Sequence, residues 1–278
     1  MRIRCDELEA EDASGGQEGR ALQQCPAYGQ AMRRLGARVL HLRAEVEGRV
    51  VAEALALQRA GLRVINRGPV WALPCDRRAV LRGLARWAGI TVITPETPEA
   101  GFGLIPVLTG RHHAIWDLRG DLRAGMAGKW RNRLVAAERA GVAPTRGNRA
   151  TLERLLAEEA GVRLARGYRA LPPEFARVWP GDSHLWHWRQ GGQVRAAMLF
   201  LRHGTRATYH LGWAAPEARA VFAHGPMLYQ AALELRAAGV AQLDLGAVDA
   251  DNPGLARFKL GTGAGVTPLG ATLLVLPG

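Results

Sequence analysis

Lysine is all but missing from this chain. Of 37 basic residues only Lys129 and Lys259 are lysine, and the rest are arginine, the usual outcome where the coding DNA is GC-rich. Under that pressure a lysine persists by chance, or where a compact ammonium does what a planar guanidinium cannot. Cysteine is scarce too. Cys5, Cys25 and Cys75 form no CxxC pair and no metal-ligand spacing, which argues against a zinc site and a disulfide framework. An odd, unpatterned set of thiols is expected of a reducing, cytoplasmic compartment. Long apolar runs are absent: none reaches the ~18 residues a spanning helix needs. The opening stretch Met1–Arg20 is acidic and has no apolar centre, so no secretory signal is read there.

What is present is a chain of 278 residues, 48% hydrophobic, with a net charge of 37 − 25 = +12. That length suits two modest domains or one large one. The charge favours an anionic partner, whether nucleic acid, a phosphorylated substrate or a membrane surface. The arginines are scattered and not in runs, so a basic, solvated exterior is the competing explanation.

Periodicity and punctuation divide the chain. Residues 24–36 read as a helix, with Pro26 in its first turn, Tyr28, Ala31, Met32 and Leu35 on its apolar face and Gly36 as its stop. Two strands, 38–47 and 48–58, meet at Glu47-Gly48, and a third follows at 62–67. Asp76 caps a helix expected to run to Trp87, and 90–94 is a buried strand. Residues 101–117 are loop and strand. From 129 to 140 runs an amphipathic helix with Trp130, Leu134 and Ala137 in one stripe and Lys129 and Arg133 on a basic face. After a polar link near Gly147 the order recurs: a helix over 151–160, strands at 185–189, 193–201 and 205–212, a helix over 226–238, a buried strand at 241–245 and a terminal strand at 271–276. Gly48-Arg49-Val50-Val51-Ala52 parallels Gly192-Gln193-Val194-Arg195-Ala196. This internal repeat predicts two copies of one mixed α/β unit, assigned to residues 1–147 and 148–278. In such units ligands lodge where neighbouring strands part.

Gln24-Cys25-Pro26-Ala27-Tyr28, Arg67-Gly68-Pro69, Lys129-Trp130-Arg131-Asn132, Arg166-Gly167-Tyr168, and Asp244-Leu245-Gly246 leading to Phe258-Lys259 are spread over nearly the whole chain. In this order the set resembles the Fem-type aminoacyltransferases and their shorter relatives in the GNAT acyltransferase superfamily. The resemblance implies an α/β fold of two tandem GNAT-like units with a substrate channel between them, the active site being carried by the second. It also implies transfer of an aminoacyl or acyl group to a primary amine, with aminoacyl-tRNA or acyl-CoA as co-substrate and no permanently bound cofactor or metal. Tyr28, Arg67, Tyr168 and Phe258, which lie in these motifs, and Asp251 are the candidate substrate-binding positions, with Phe258 read as core or as a wall of the channel.

The residues themselves suggest roles. Acyl transfer to an amine builds a tetrahedral oxyanion, which a fixed cation stabilises. Lys259, read as lying just after a short helix and before a Gly-rich turn, is the candidate; a solvated surface lysine is the plain alternative. Asp244, at the end of an apolar run, and His210, on a central strand, are the candidate proton acceptors, against a hydrogen-bonded core histidine for His210. Asp249 and Asp251 fit turn or cap contacts. Arg67 suits a phosphate or a carboxylate held bidentately, or an ordinary strand end. Lys129, Arg131 and Arg133 make the best anion-facing surface, for tRNA or a nucleotide, or a solvated helix face. A non-catalytic RNA-binding protein, or a degenerate transferase serving as a scaffold, is the rival to an enzyme.

Overall fold

The computed structural model describes residues 2–7, 19–167, 171–248 and 250–278. In chain order the elements are β1 (Arg2–Glu7), α1 (Pro26–Arg34), β2 (Arg38–Val46), β3 (Arg49–Arg59), β4 (Leu62–Asn66), β5 (Val70–Trp71), α2 (Arg77–Leu84), β6 (Ile90–Thr94) and β7 (Leu104–Leu108). There follow β8 (His112–Asp117), α3 (Leu122–Gly125), α4 (Gly128–Arg139), β9 (Thr145–Arg146), α5 (Arg149–Arg166), α6 (Pro173–Val178), β10 (Ser183–Gln190), β11 (Gln193–His203) and β12 (Arg206–Ala214). Last come α7 (Pro216–Ala220), α8 (His224–Ala237), β13 (Gln242–Ala247), α9 (Pro253–Leu260), β14 (Gly265–Pro268) and β15 (Thr272–Val275).

Local chemistry sets these boundaries. Glu47-Gly48, Ala60-Gly61 and Gly191-Gly192 have positive φ at both residues, the two-residue turn whose twist matches the strands it joins. Asp76, Asp121 and Asn148 each accept a first-turn backbone N–H, capping α2, α3 and α5. The sequence understated α5, which runs past Gly161 to Arg166, and it left β7 and β8 undivided within one segment. Residues 1–20 read in the sequence as a short strand followed by a loop; β1 is that strand, and the loop, which carries Asp12–Gly16, lies outside the described residues.

The chain forms two compact units. Met1–His112, Val178–Pro180 and Thr267–Gly278 make the first; His113–Arg177 and Gly181–Val266 make the second. The first is built on a sheet ordered β1-β2-β3-β4-β6-β15-β7, with β5 on β3. Leu42, Ile65, Ile93 and Leu273 on this sheet pack with Val80, Leu81 and Leu84 of α2. The second is built on a sheet ordered β14-β8-β13-β12-β11-β10-β9. Its core joins Trp116, Met198, Phe200, Leu243 and Leu245 to Met227, Leu228, Ala231 and Leu235 of α8 and to Trp130, Leu134 and Ala137 of α4.

The repeat is visible in the hydrogen bonding. β2-β3-β4-α2-β6 and β10-β11-β12-α8-β13 share one plan, an antiparallel meander, a helix and a strand returning parallel to the third. Each first hairpin is bulged, between Ala44 and Glu45 in one and between Trp188 and Arg189 in the other, at the same offset from Gly48 and Gly192. The division of the chain differs from a cut at 147/148. β8 hydrogen-bonds to β13, so the segment carrying β8, α3 and α4 joins the second unit; β15 hydrogen-bonds to β6 and β7, so the last strand joins the first. Sheet pairing, which no local pattern encodes, decides both.

Two glycine substitutions are expected to shift stability in opposite directions. Gly192 has φ +75 with open space around it, so Gly192→Ala destabilises by ~1–2 kcal/mol through backbone strain alone. Gly161 lies in α5 with nothing within 4 Å of an added Cβ, so Gly161→Ala stabilises by about 0.5–1 kcal/mol. Urea unfolding of the two variants beside the parent checks both signs.

Candidate active site at the carboxyl ends of two parallel strands

In the second unit the parallel strands pair only at Arg206–Gln242, Ala207–Leu243 and Thr208–Asp244. Beyond these, β12 continues to Ala214 and β13 to Ala247. The equivalent strands of the first unit, β4 and β6, stay paired along Leu62–Asn66 and Ile90–Thr94. The parting coincides with a bulge in β12. Leu199 faces Leu211 and Phe200 faces Tyr209, so His210 is an extra residue with no partner position on β11, and such an insertion bends and twists its strand. Strands that separate at their carboxyl ends are where open α/β sheets take ligands.

Asp244 is the last residue of β13 to pair with β12, and it is buried. Its Oδ1 accepts the Gly246 backbone N–H at 2.7 Å, and both carboxylate oxygens face His113 Nδ1, at 3.0 and 3.2 Å. His113 lies on β8 opposite Ala247. It was not anticipated from sequence; the one available signal was the His112-His113 pair ahead of the alternating buried Ala114 and Trp116 of a strand.

Lys259 stands in the last turn of α9 and not beyond it. Asn252 caps that helix by accepting the Leu255 N–H at 3.2 Å. Lys259 is only 5% exposed, and its Nζ donates to the Ala247 carbonyl at 2.6 Å. A cation suits the carbonyl end of a helix. Gly246, at φ +81, brings its backbone close beneath, since a Cβ there would stand 3.5 Å from Nζ.

Helix α4 clamps this arrangement. Trp130 Nε1 donates to the Phe258 carbonyl at 3.0 Å, and the Ala127 N–H donates to the Gly261 carbonyl at 2.9 Å. An added Cβ on Gly261 would come within 2.4 Å of the indole, so only glycine admits the tryptophan there. Phe222 and Phe258 stand 5.2 and 6.1 Å from Trp130, centroid to centroid. The two motifs that hold the chain's lysines are thus in direct contact. Lys129, Arg131 and Arg133 lie on the exposed side of α4, with the Arg133 guanidinium 4.2 Å over the Phe222 ring. His224, the first residue of α8, donates from Nε2 to the Trp213 carbonyl at 3.0 Å, and its ring stands 6.2 Å from Phe258.

The other candidates lie elsewhere or in other roles. His210 packs its ring 5.4 Å from that of Phe175, and burial pushes its pKa down to about 4. A base that weak holds a proton taken from an amine poorly, so the packed-histidine reading fits it and the catalytic one does not. Arg67, in the first unit, grips Glu96 through Nε and Nη2 at 2.6 and 2.8 Å; the carboxylate it holds bidentately is the protein's own. Tyr28 is buried in α1, its phenol pushed up to about 12 by burial, and so does not line a surface. Asp251 is exposed. Tyr168 and Asp249 lie outside the described residues.

No family model matches the sequence, and no curated protein does. Solved structures do match. One described as FemX aligns at a TM-score of 0.76, with 13% identity over 98% of this chain and 97% of its own. L-PGS from Bacillus licheniformis aligns at 0.61, with 14% identity over 98% and 93%. A tandem GNAT protein from the clavulanic acid biosynthesis pathway aligns at 0.55, with 15% identity over 98% and 97%. The fold is Fem-like. Its two mixed sheets are tandem GNAT-like units, two copies of one plan as the repeat predicted and GNAT-like as the resemblance implied. Among the described residues of this Fem-like chain no helix is long and apolar enough to cross a membrane.

The packed His210 has a measurable consequence. Its folded pKa lies below the ordinary 6.5, so protonation favours unfolding; the stability it contributes is full above about pH 6.5 and falls as pH drops toward 4. Between pH 7 and 5 this loss is about 2 kcal/mol. Urea titrations at both pH values are expected to show His210→Gln losing less stability on acidification than the parent, by roughly that amount.

Proposed function

We propose that this chain is an acyltransferase that moves an aminoacyl or acyl group onto a primary amine within a ternary complex. The observation that carries the reading is the buried ammonium of Lys259, fixed on the Ala247 carbonyl at the carboxyl end of β13, beyond the point where it parts from β12. An amine attacking an ester or thioester carbonyl places negative charge on its oxygen, and a preorganised cation in a water-poor site stabilises that charge, by ~3–4 kcal/mol for a well-placed donor. Transfer is direct. Cys25 is buried with its thiol pushed up to about 12, and the Cys75 thiol is raised as well, so neither is an activated nucleophile. The resemblance to Fem-type aminoacyltransferases, with which the FemX-like fold agrees, favours aminoacyl-tRNA as the donor, and the exposed cationic side of α4 offers a surface for its phosphates. An acyl-CoA donor is the alternative, supported by the likeness to the tandem GNAT protein.

The test is transfer itself. The purified protein is incubated with charged tRNA or acyl-CoA and a mixture of amines, and products are read by mass spectrometry. Lys259→Ala is expected to lower kcat about 100-fold or more, with the far-UV spectrum retained. Turnover unaffected by that change, or no transfer from either donor class, would remove the reading. If RNA is the donor carrier, Lys129→Glu and Arg131→Glu weaken its binding. Each phosphate left without its cation lowers the slope of log K against log salt by about 1. An unchanged slope would take α4 out of the donor site.

A further inference from the structure

Resting on that acyl-transfer reading, we infer that His113 is the proton acceptor for the attacking amine and that Asp244 is its positioning residue. The carboxylate of Asp244 is already engaged. One oxygen holds the Gly246 N–H at 2.7 Å, and both hold His113 Nδ1 at 3.0 and 3.2 Å. A carboxylate facing Nδ1 at this distance fixes the proton on Nδ1 and leaves Nε2 as the basic nitrogen of the ring. This is the arrangement by which a carboxylate orients a catalytic imidazole on unrelated folds.

Position makes the pair relevant to the reaction. His113 is register partner to Ala247, whose carbonyl holds the Lys259 ammonium at 2.6 Å. Asp244, three residues back on the same strand, is the last residue of β13 to pair with β12. Cation and imidazole are therefore tied to one strand end through adjacent, separately anchored bonds. Both partners are partly screened from water, with side-chain exposures of 16% for His113 and 10% for Asp244.

The protons balance without another reactant. The amine nitrogen forms its bond to the donor's carbonyl carbon while its N–H proton passes to His113 Nε2. The tetrahedral adduct collapses, the carbon–oxygen or carbon–sulfur bond of the donor breaks, and the imidazolium returns the proton to the leaving oxygen or sulfur. His113 ends neutral, and Lys259 remains charged throughout.

Two measurements test this. In the transfer assay His113→Gln is expected to lose about 10²- to 10⁴-fold in kcat with little change in KM, and His113→Ala to regain part of the loss when imidazole is added. Independently of activity, nitrogen NMR of the wild-type protein is expected to show His113 protonated on Nδ1, and Asp244→Asn to abolish that preference. A wild-type rate in His113→Gln, or Nε2 protonation in the wild-type protein, would overturn the assignment while leaving acyl transfer standing. A wild-type protein with no transfer would remove the acyl-transfer reading, and with it the role given to the pair, even with the expected tautomer observed.

Discussion

A lysine ammonium taken out of water must be held by other polar groups, because an isolated buried charge is among the most costly things a fold can contain. Lys259 meets that requirement at the end of β13, on the Ala247 carbonyl. The surrounding design serves this contact. Gly246 takes a left-handed backbone that lets the strand end turn beneath the ammonium. Asn252 starts the helix that delivers the side chain, and Trp130 holds that helix through the Phe258 carbonyl and the bare Cα of Gly261.

The two units show why a repeated plan yields one candidate site. Each has an antiparallel meander, a crossover helix and a parallel return strand. In the first the parallel pair stays joined over its whole length. In the second a single inserted residue, His210, accompanies the early separation of β12 from β13. One residue of register thus distinguishes a continuous sheet from an opened one.

Much of this was legible in the sequence, for identifiable reasons. The Glu47-Gly48 turn, the Asp76 cap and the Trp130-Leu134-Ala137 stripe are local signals; the hairpin and α4 formed where expected, and α2 begins at its cap but ends at Leu84, short of Trp87. The scarcity of lysine drew attention to Lys129 and Lys259, and the helices bearing them touch. What stayed hidden depends on pairing between distant segments. The alliance of β8 with β13, which brings His113 to Asp244 across 131 positions, has no local signature. Nor does the capture of Arg67 by Glu96, 29 residues away, which turned a plausible ligand-binding arginine into an internal ion pair. His210 could not be read as a bulge, because a bulge is defined by its neighbour strand.

The central claim is that the ammonium of residue 259 lies against the oxygen that becomes negative during transfer. A crystal structure with a phosphonate analogue of the tetrahedral adduct tests it most directly. The expected result is an anionic phosphonate oxygen within about 3 Å of Lys259 Nζ, at the carboxyl end of β13. An analogue bound with that nitrogen out of reach of its phosphonate oxygens would contradict the account.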